Sequence, residues 1–193
     1  MGCFSLSIRK AVLVLSLLVT GVNAAELEGI KLRDKMSCAG IELPLQAAGL
    51  RDATIFNIRV YVLAMYSPTL LPGGLTDQNI EKRPMCFEVH YMRDVEKAKV
   101  DEAWEFQFKD SSEYPYPDLK RHITLLQQFF GKIEAGKGVH LFELTENSTK
   151  VYENGEYKGE IPGKEFGKNF LSVFFGKNPP TKKLKNALLK GQK

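Results

Sequence analysis

The chain has 193 residues, of which 44% are apolar and 26% charged, with 27 Lys and Arg against 23 Asp and Glu. That length suits one domain with a substantial core, and no internal repeat or low-complexity segment divides it. A net charge of +4 is too near neutral to support a nucleic-acid surface.

The N-terminus reads as a secretory signal peptide over residues 1–24. Arg9 and Lys10 precede an apolar run from Ala11 to Val19, and Val22-Asn23-Ala24 supplies a small-residue cleavage site. The run is short for a membrane-spanning helix, although an uncleaved anchor is the alternative. Cys3 lies before the run, the wrong place for a lipid-modified cysteine at the cleavage point. Processing removes Arg9 and Lys10 and leaves residues 25–193 as a single domain, periplasmic or secreted. Cys38 and Cys86 remain in that domain, and export would permit a disulfide between them. A buried free thiol is the other reading of Cys86, which lies in the strand-like stretch Met85–Tyr91.

The mature chain begins with short extended segments, Gly29–Leu32 and Gly40–Leu45, separated by turn-prone residues. A long strand follows from Phe56 to Pro68, approached by Gly49-Leu50-Arg51. At a period of two, Phe56, Ile58, Val60, Val62 and Ala64 form a continuous apolar face. The other face carries Asn57, Arg59, Tyr61, Leu63 and Met65, a mixture of apolar bodies and polar tips that suits a pocket wall. Arg51 shares that face with Tyr61 if the strand is unbroken. Asp52-Ala53-Thr54 is turn-prone, and a bulge there would also permit the pairing.

Residues 84–92 form the next strand. Asp94 then reads as the N-cap of a helix with a broad apolar face of Val95, Ala98, Ala103, Trp104, Phe106 and Phe108. Tyr114-Pro115-Tyr116-Pro117 breaks it, and a second helix starts near Asp118 with Leu119, Ile123, Leu126, Phe129 and Phe130 on one side. Gly138–Thr145 and Lys150–Lys158 read as strands, with Asn154-Gly155 as a hairpin signal. Gly163 opens a third helix, rich in phenylalanine and stopped by Gly176. Pro180 starts a fourth, with Leu184, Leu188 and Leu189 inward. This order gives an α+β fold with helices packed on one antiparallel sheet.

Common catalytic spacings are missing. His90, His122 and His140 are scattered, and no nucleophile elbow, P-loop or dinucleotide fingerprint is present. Glu143, Glu146, Glu153 and Glu156 alternate with other residues as on a solvated strand face, so a glycosidase pair is disfavoured. The phenylalanine-rich helix has the spacing of ordinary core, with a lipid cavity as the alternative. Lys177, Lys182, Lys183, Lys185, Lys190 and Lys193 cluster at the end. A solvated helix face explains them, with weak contact to an anionic membrane surface as the alternative. No cofactor and no metal site is expected.

Gly49-Leu50-Arg51, the Phe56–Pro68 strand, Tyr91-Met92-Arg93-Asp94-Val95, the stretch Asn154–Gly163 and the ending Phe175–Pro180 with Leu184–Leu189 together resemble the chalcone isomerase-like family, more specifically its exported bacterial branch. The resemblance implies an open-faced β-sandwich, a large antiparallel sheet with a helical layer and a ligand cleft between them. Plant members cyclise chalcones or, in non-enzymatic relatives, bind fatty acids. In both, an arginine after a Gly-x motif contacts the anionic ligand group, and Arg51 occupies that position. The enzymes' threonine in the following strand is replaced here by Tyr61, as in the fatty-acid binders. Their catalytic tyrosine and asparagine find no clear counterparts in Tyr114–His122.

The leading expectation is therefore a non-enzymatic exported protein that binds a fatty acid or other small apolar carboxylate, with Arg51 and Tyr61 as ligand contacts and no catalytic residues. An isomerase or intramolecular lyase of chalcone isomerase type is the first alternative. An envelope interaction protein without ligand is the second, and its mark would be a cleft filled by side chains around Arg51. If Arg51 has no ligand role, a surface ion pair with Asp52 or a neighbouring strand is the plain reading.

Overall fold

A computed structural model describes residues 25–53, 58–71 and 84–192. The signal-peptide expectation and Phe56 and Asn57 of the long strand lie outside these residues. A small hairpin, β1 (Glu26–Leu27) with β2 (Ile30–Lys31), precedes seven strands: β3 (Lys35–Cys38), β4 (Ile41–Ala53), β5 (Ile58–Tyr66), β6 (Met85–Tyr91), β7 (Val139–Leu144), β8 (Ser148–Glu153) and β9 (Glu156–Pro162). Each of the seven pairs antiparallel with its neighbour in sequence, giving a curled meander from β3 to β9. Helices α1 (Lys97–Ser111), α2 (Leu119–Gln128), α3 (Lys164–Phe175) and α4 (Lys182–Lys190) complete an α+β open-faced sandwich. None of the described helices is long and apolar enough to cross a membrane.

Local chemistry explains most boundaries. Asn154 and Gly155, at φ 52° and 83°, form the tight turn between β8 and β9, which needs positive φ at both positions. Thr181 caps α4 by accepting a hydrogen bond from the Leu184 amide at 3.1 Å, so that helix starts just after Pro180. Asp94 does not cap α1. Its carboxylate accepts from the Ala135 amide at 2.7 Å and ties the α1 approach to the α2–β7 loop, while Glu96 is the N-cap residue and Val95 makes an isolated bridge with Ile133.

Gly49-Leu50-Arg51 belongs to β4, a 13-residue strand that absorbs the second of the short segments. Arg51 and Tyr61 therefore sit on neighbouring strands and not on one continuous strand, because β4 and β5 pair antiparallel. The two faces of β5 divide as the alternation predicts, one apolar and one toward the cleft, except at Ile58. Tyr61, Leu63 and Met65 meet the helical layer, whereas Val62, Ala64 and Tyr66 join a second cluster with Met36, Leu43 and Leu45 on the opposite side. Ile58 is 42% exposed and ends the supposed apolar stripe.

The second cluster contains the Cys38–Cys86 disulfide, with Cα atoms 6.0 Å apart, which fastens the edge strand β3 across β4 and β5 to β6. Glu88 is buried beside it, paired with Arg33, 3.1 Å from His90 Nε2 and 3.4 Å from the Tyr66 hydroxyl. Burial works to raise its pKa, but the His90 hydrogen bond and the charges of His90 and Arg33 hold the carboxyl below the usual range. Glu143, expected on a solvated face, is likewise buried. Its Oε2 accepts from the Ala39 amide at 2.7 Å, and Lys150 approaches its other oxygen at 3.6 Å.

Helix α1 buries a narrow stripe of Val100, Trp104 and Phe108, not the broad face expected, and Phe106 points outward at 65% exposure. The phenylalanines of α3 are core: Phe166, Phe170, Phe174 and Phe175 are all buried. Helix α4 lies close on β4 because Gly49 has no side chain. A Cβ there would meet Leu184 Cδ1 at 2.7 Å and Ala187 Cβ at 3.0 Å. Two of the terminal lysines are used within the fold: Lys183 pairs with Asp52 at 3.0 Å, and Lys185 donates to the Gly176 carbonyl at 2.7 Å.

His140 is fully buried against the Phe130 ring, 4.0 Å centroid to centroid, and against the edge of Tyr91. Burial pushes its pKa down to about 3, so the imidazole is neutral at pH 7 and its 3.4 Å approach to Glu153 is not an ion pair.

Two outcomes follow from this packing. Between about pH 3 and 6.5 the unfolded chain protonates His140 and the folded chain does not, so His140 makes stability fall as pH drops through that window. His140→Phe should gain on the wild type by about 1.4 kcal/mol per pH unit lowered there, measured by urea unfolding; parallel stability curves would contradict this. Gly49→Val should cost about 1–3 kcal/mol through overpacking against α4, and an unchanged unfolding midpoint would contradict the close approach.

Candidate functional site

Three strands place three polar tips in one row. Arg51 of β4 pairs with Tyr61 of β5, and Tyr61 pairs with Tyr91 of β6. Residues in direct register project from the same face, here the face under the helices. A register shift just after Arg51 bends β4 away at this level, the geometry of a bulge at a site's edge. The Arg51 guanidinium carbon lies 5.7 Å from the Tyr61 ring centroid, and the Tyr61 and Tyr91 rings meet edge to face at 5.8 Å.

This row forms one end of a cleft of about 160 Å³ between sheet and helices. Val89 continues the floor. Val100 and Trp104 of α1 form the roof, and Val173 and Phe174 at the end of α3 form the far wall. Lys99, Gln107 and Pro180 also line it. Gln107 is fixed by hydrogen bonds to Ser111 Oγ at 2.7 Å and the Asn178 carbonyl at 2.9 Å. The lining is mainly apolar, with a few placed polar groups, as in small-molecule sites generally.

Arg51 is half-buried, yet no carboxylate among the described residues lies within ion-pair distance of it. The neighbouring Asp52, its obvious partner from the sequence, is taken by Lys183. That hydrogen bond is the main reason the Asp52 carboxyl stays below its ordinary pKa. Three other arginines are paired: Arg33 with Glu88, Arg59 with Glu28 at 2.9 Å, and Arg121 with Asp118 at 3.3 Å. Arg59, nominally on the Tyr61 face, is thus drawn to the N-terminal hairpin and away from the cleft.

Burial pushes the Tyr61 phenol above its ordinary pKa, opposed in part by Arg51. Burial also raises Tyr91, reinforced by Tyr61 and Glu153 and opposed by Arg51. Both hydroxyls keep their protons at neutral pH and can donate a hydrogen bond.

The structure thus brings Arg51 and Tyr61 together in one cleft and adds residues that sequence reasoning did not assign to a site. Tyr91 joins through strand register, a long-range pairing that its own segment does not encode. Trp104 and Phe174 follow helical core spacing, which gives no sign that one side of each ring faces a cleft. No residue from Tyr114 to His122 lines this cleft; the Tyr116 hydroxyl instead meets His122 Nδ1 at 2.7 Å. Among the described residues, the one group of Cys, His and carboxylate atoms close enough to share a metal ion is Cys38, Cys86 and Glu143, and its two sulfurs are bonded to each other.

Comparison with curated protein sequences gives no match. Among solved structures, the crystal structure of a fatty-acid binding protein from Arabidopsis thaliana is similar, with a TM-score of 0.64 at 15% identity over 83% of this chain and 92% of that chain. At that identity the likeness is one of fold. The family model described as chalcone isomerase-like matches residues 24–190, nearly the full length. The chain belongs to the chalcone isomerase-like family.

Proposed function

We propose that this is an exported, non-enzymatic binding protein for a fatty acid or other small apolar carboxylate, which it anchors through Arg51. The observation that carries the reading is the half-buried Arg51 guanidinium, without a carboxylate partner among the described residues, at the end of an apolar cleft beside Tyr61 and Tyr91. A guanidinium left without a carboxylate in such a place is costly unless a ligand supplies one. The fold shared with a plant fatty-acid binding protein is consistent with an acyl ligand.

The cleft itself speaks against the interaction-protein reading, for which side chains should fill the space around Arg51. The tyrosines weigh against the isomerase reading. A general acid or base works best with a pKa near the operating pH, and burial moves both phenols the other way. Export is supported by the N-terminal signal pattern and by a buried disulfide, which persists in oxidising compartments. Lys177, Lys182 and Lys190 are exposed and could add a weak contact with an anionic membrane surface.

Charge-assisted hydrogen bonds contribute about 1.5–3 kcal/mol. Arg51→Ala should therefore weaken binding of an apolar carboxylate roughly ten- to a hundredfold in calorimetric titration, with little change in melting temperature. Equal affinity in wild type and variant would overturn the anchoring role. Chalcone absorbance in the presence of micromolar protein should decay no faster than in buffer; a clear acceleration would favour the isomerase.

A further inference from the structure

The same cleft also limits what its ligand can be. From the Arg51–Tyr61–Tyr91 row, the next row on the helix-facing side contains Leu63, Val89 and His140, and the one beyond contains Met65, Phe87 and Phe142. Successive rows on one face are about 7 Å apart. Over the third row the helices pack directly on the sheet: Trp104 meets Phe142 at 5.5 Å, Phe170 meets Phe142 at 4.7 Å, and Phe174 stacks on Phe87 at 6.1 Å.

Trp104 is the ring that faces both ways. It lines the cleft, yet it is only 9% exposed and is held from behind by Phe108, Phe142 and Phe170. A side chain braced by three rings does not swing aside without disturbing the core beneath it. The space in front of it, about 160 Å³, is close to the roughly 150 Å³ apolar cavity that accepts benzene in an engineered protein. A long acyl chain has nowhere to continue past this wall.

We infer that the cleft selects a compact apolar carboxylate, with an apolar part about the size of a benzene ring or a six-carbon chain, and that Trp104 sets this limit. The inference rests on the carboxylate-binding reading above. It replaces the general class of fatty acids with short-chain or aryl-substituted acids, and it makes Trp104 a specificity-determining residue.

The test is a calorimetric series on the wild-type chain with straight-chain carboxylates from butanoate to hexadecanoate, together with 3-phenylpropanoate. Each methylene that enters the cleft should tighten binding about fourfold. The gain should stop at about six to eight carbons, with 3-phenylpropanoate near the optimum. Trp104→Ala should move the break to longer chains, and Trp104→Phe provides a milder opening if the alanine variant does not fold. Affinity that keeps rising through hexadecanoate in the wild type overturns the size limit while leaving carboxylate binding intact. A break that stays in place in a folded Trp104 variant overturns the role of Trp104. Failure of every carboxylate to bind overturns the binding reading itself, and the size limit with it.

Discussion

Phe170 holds the two layers together. From the middle of α3 its ring meets Phe142 and Phe87 on the sheet, Trp104 on α1 and Phe174 one turn along its own helix, with centroids 4.7 to 6.2 Å apart. Aromatic pairs at these distances bury large areas and prefer edge-to-face or offset geometry, so the cluster sets both the spacing and the orientation of the helices over the sheet. The cleft is the space left where this aromatic layer stops, toward the end of the sheet at which Arg51, Tyr61 and Tyr91 stand in register. The core and the site are thus two parts of one packing arrangement, and Trp104 belongs to both.

Charge is treated differently on the two faces of the sheet. On the side of the disulfide, buried Glu88 is matched by Arg33 and His90, and Glu143 by the Ala39 amide and Lys150. Each of those carboxylates has partners of its own. On the helical side, Lys183 occupies Asp52 and so removes the nearest carboxylate from Arg51. That pairing leaves the guanidinium in the cleft available, which is why the α4 lysine and the close contact of α4 on Gly49 bear on the site without touching it.

Much of the fold is legible in the sequence because it rests on local signals. Asn154-Gly155 specifies its turn, Tyr114-Pro115-Tyr116-Pro117 separates two helices, and Gly163 and Gly176 bracket the third. The β3–β4 hairpin was not legible, since its turn is Ala39-Gly40. Alanine at φ 51° has no local reason to turn there, and its amide is held by Glu143, 104 residues away. The two faces of β5 were legible from strict alternation, with Tyr61, Leu63 and Met65 on the cleft side and Val62 and Ala64 opposite. Of the site, Arg51 and Tyr61 were visible through their motifs. Their true relation as partners across two strands, together with Tyr91 and Trp104, depends on register and helix placement, which are properties of the assembled chain.

The central claim is that a carboxylate sits against Arg51 with its apolar part under Trp104. The chain has one tryptophan, so its emission reports on the cleft without a label. Titration with octanoate and with methyl octanoate, which has the same chain but no charge, compares the two halves of the claim in one measurement. The account predicts a saturable change in Trp104 emission with the carboxylate, at concentrations at least tenfold below those needed for the ester. Equal responses to the two compounds, or none to either, would contradict it.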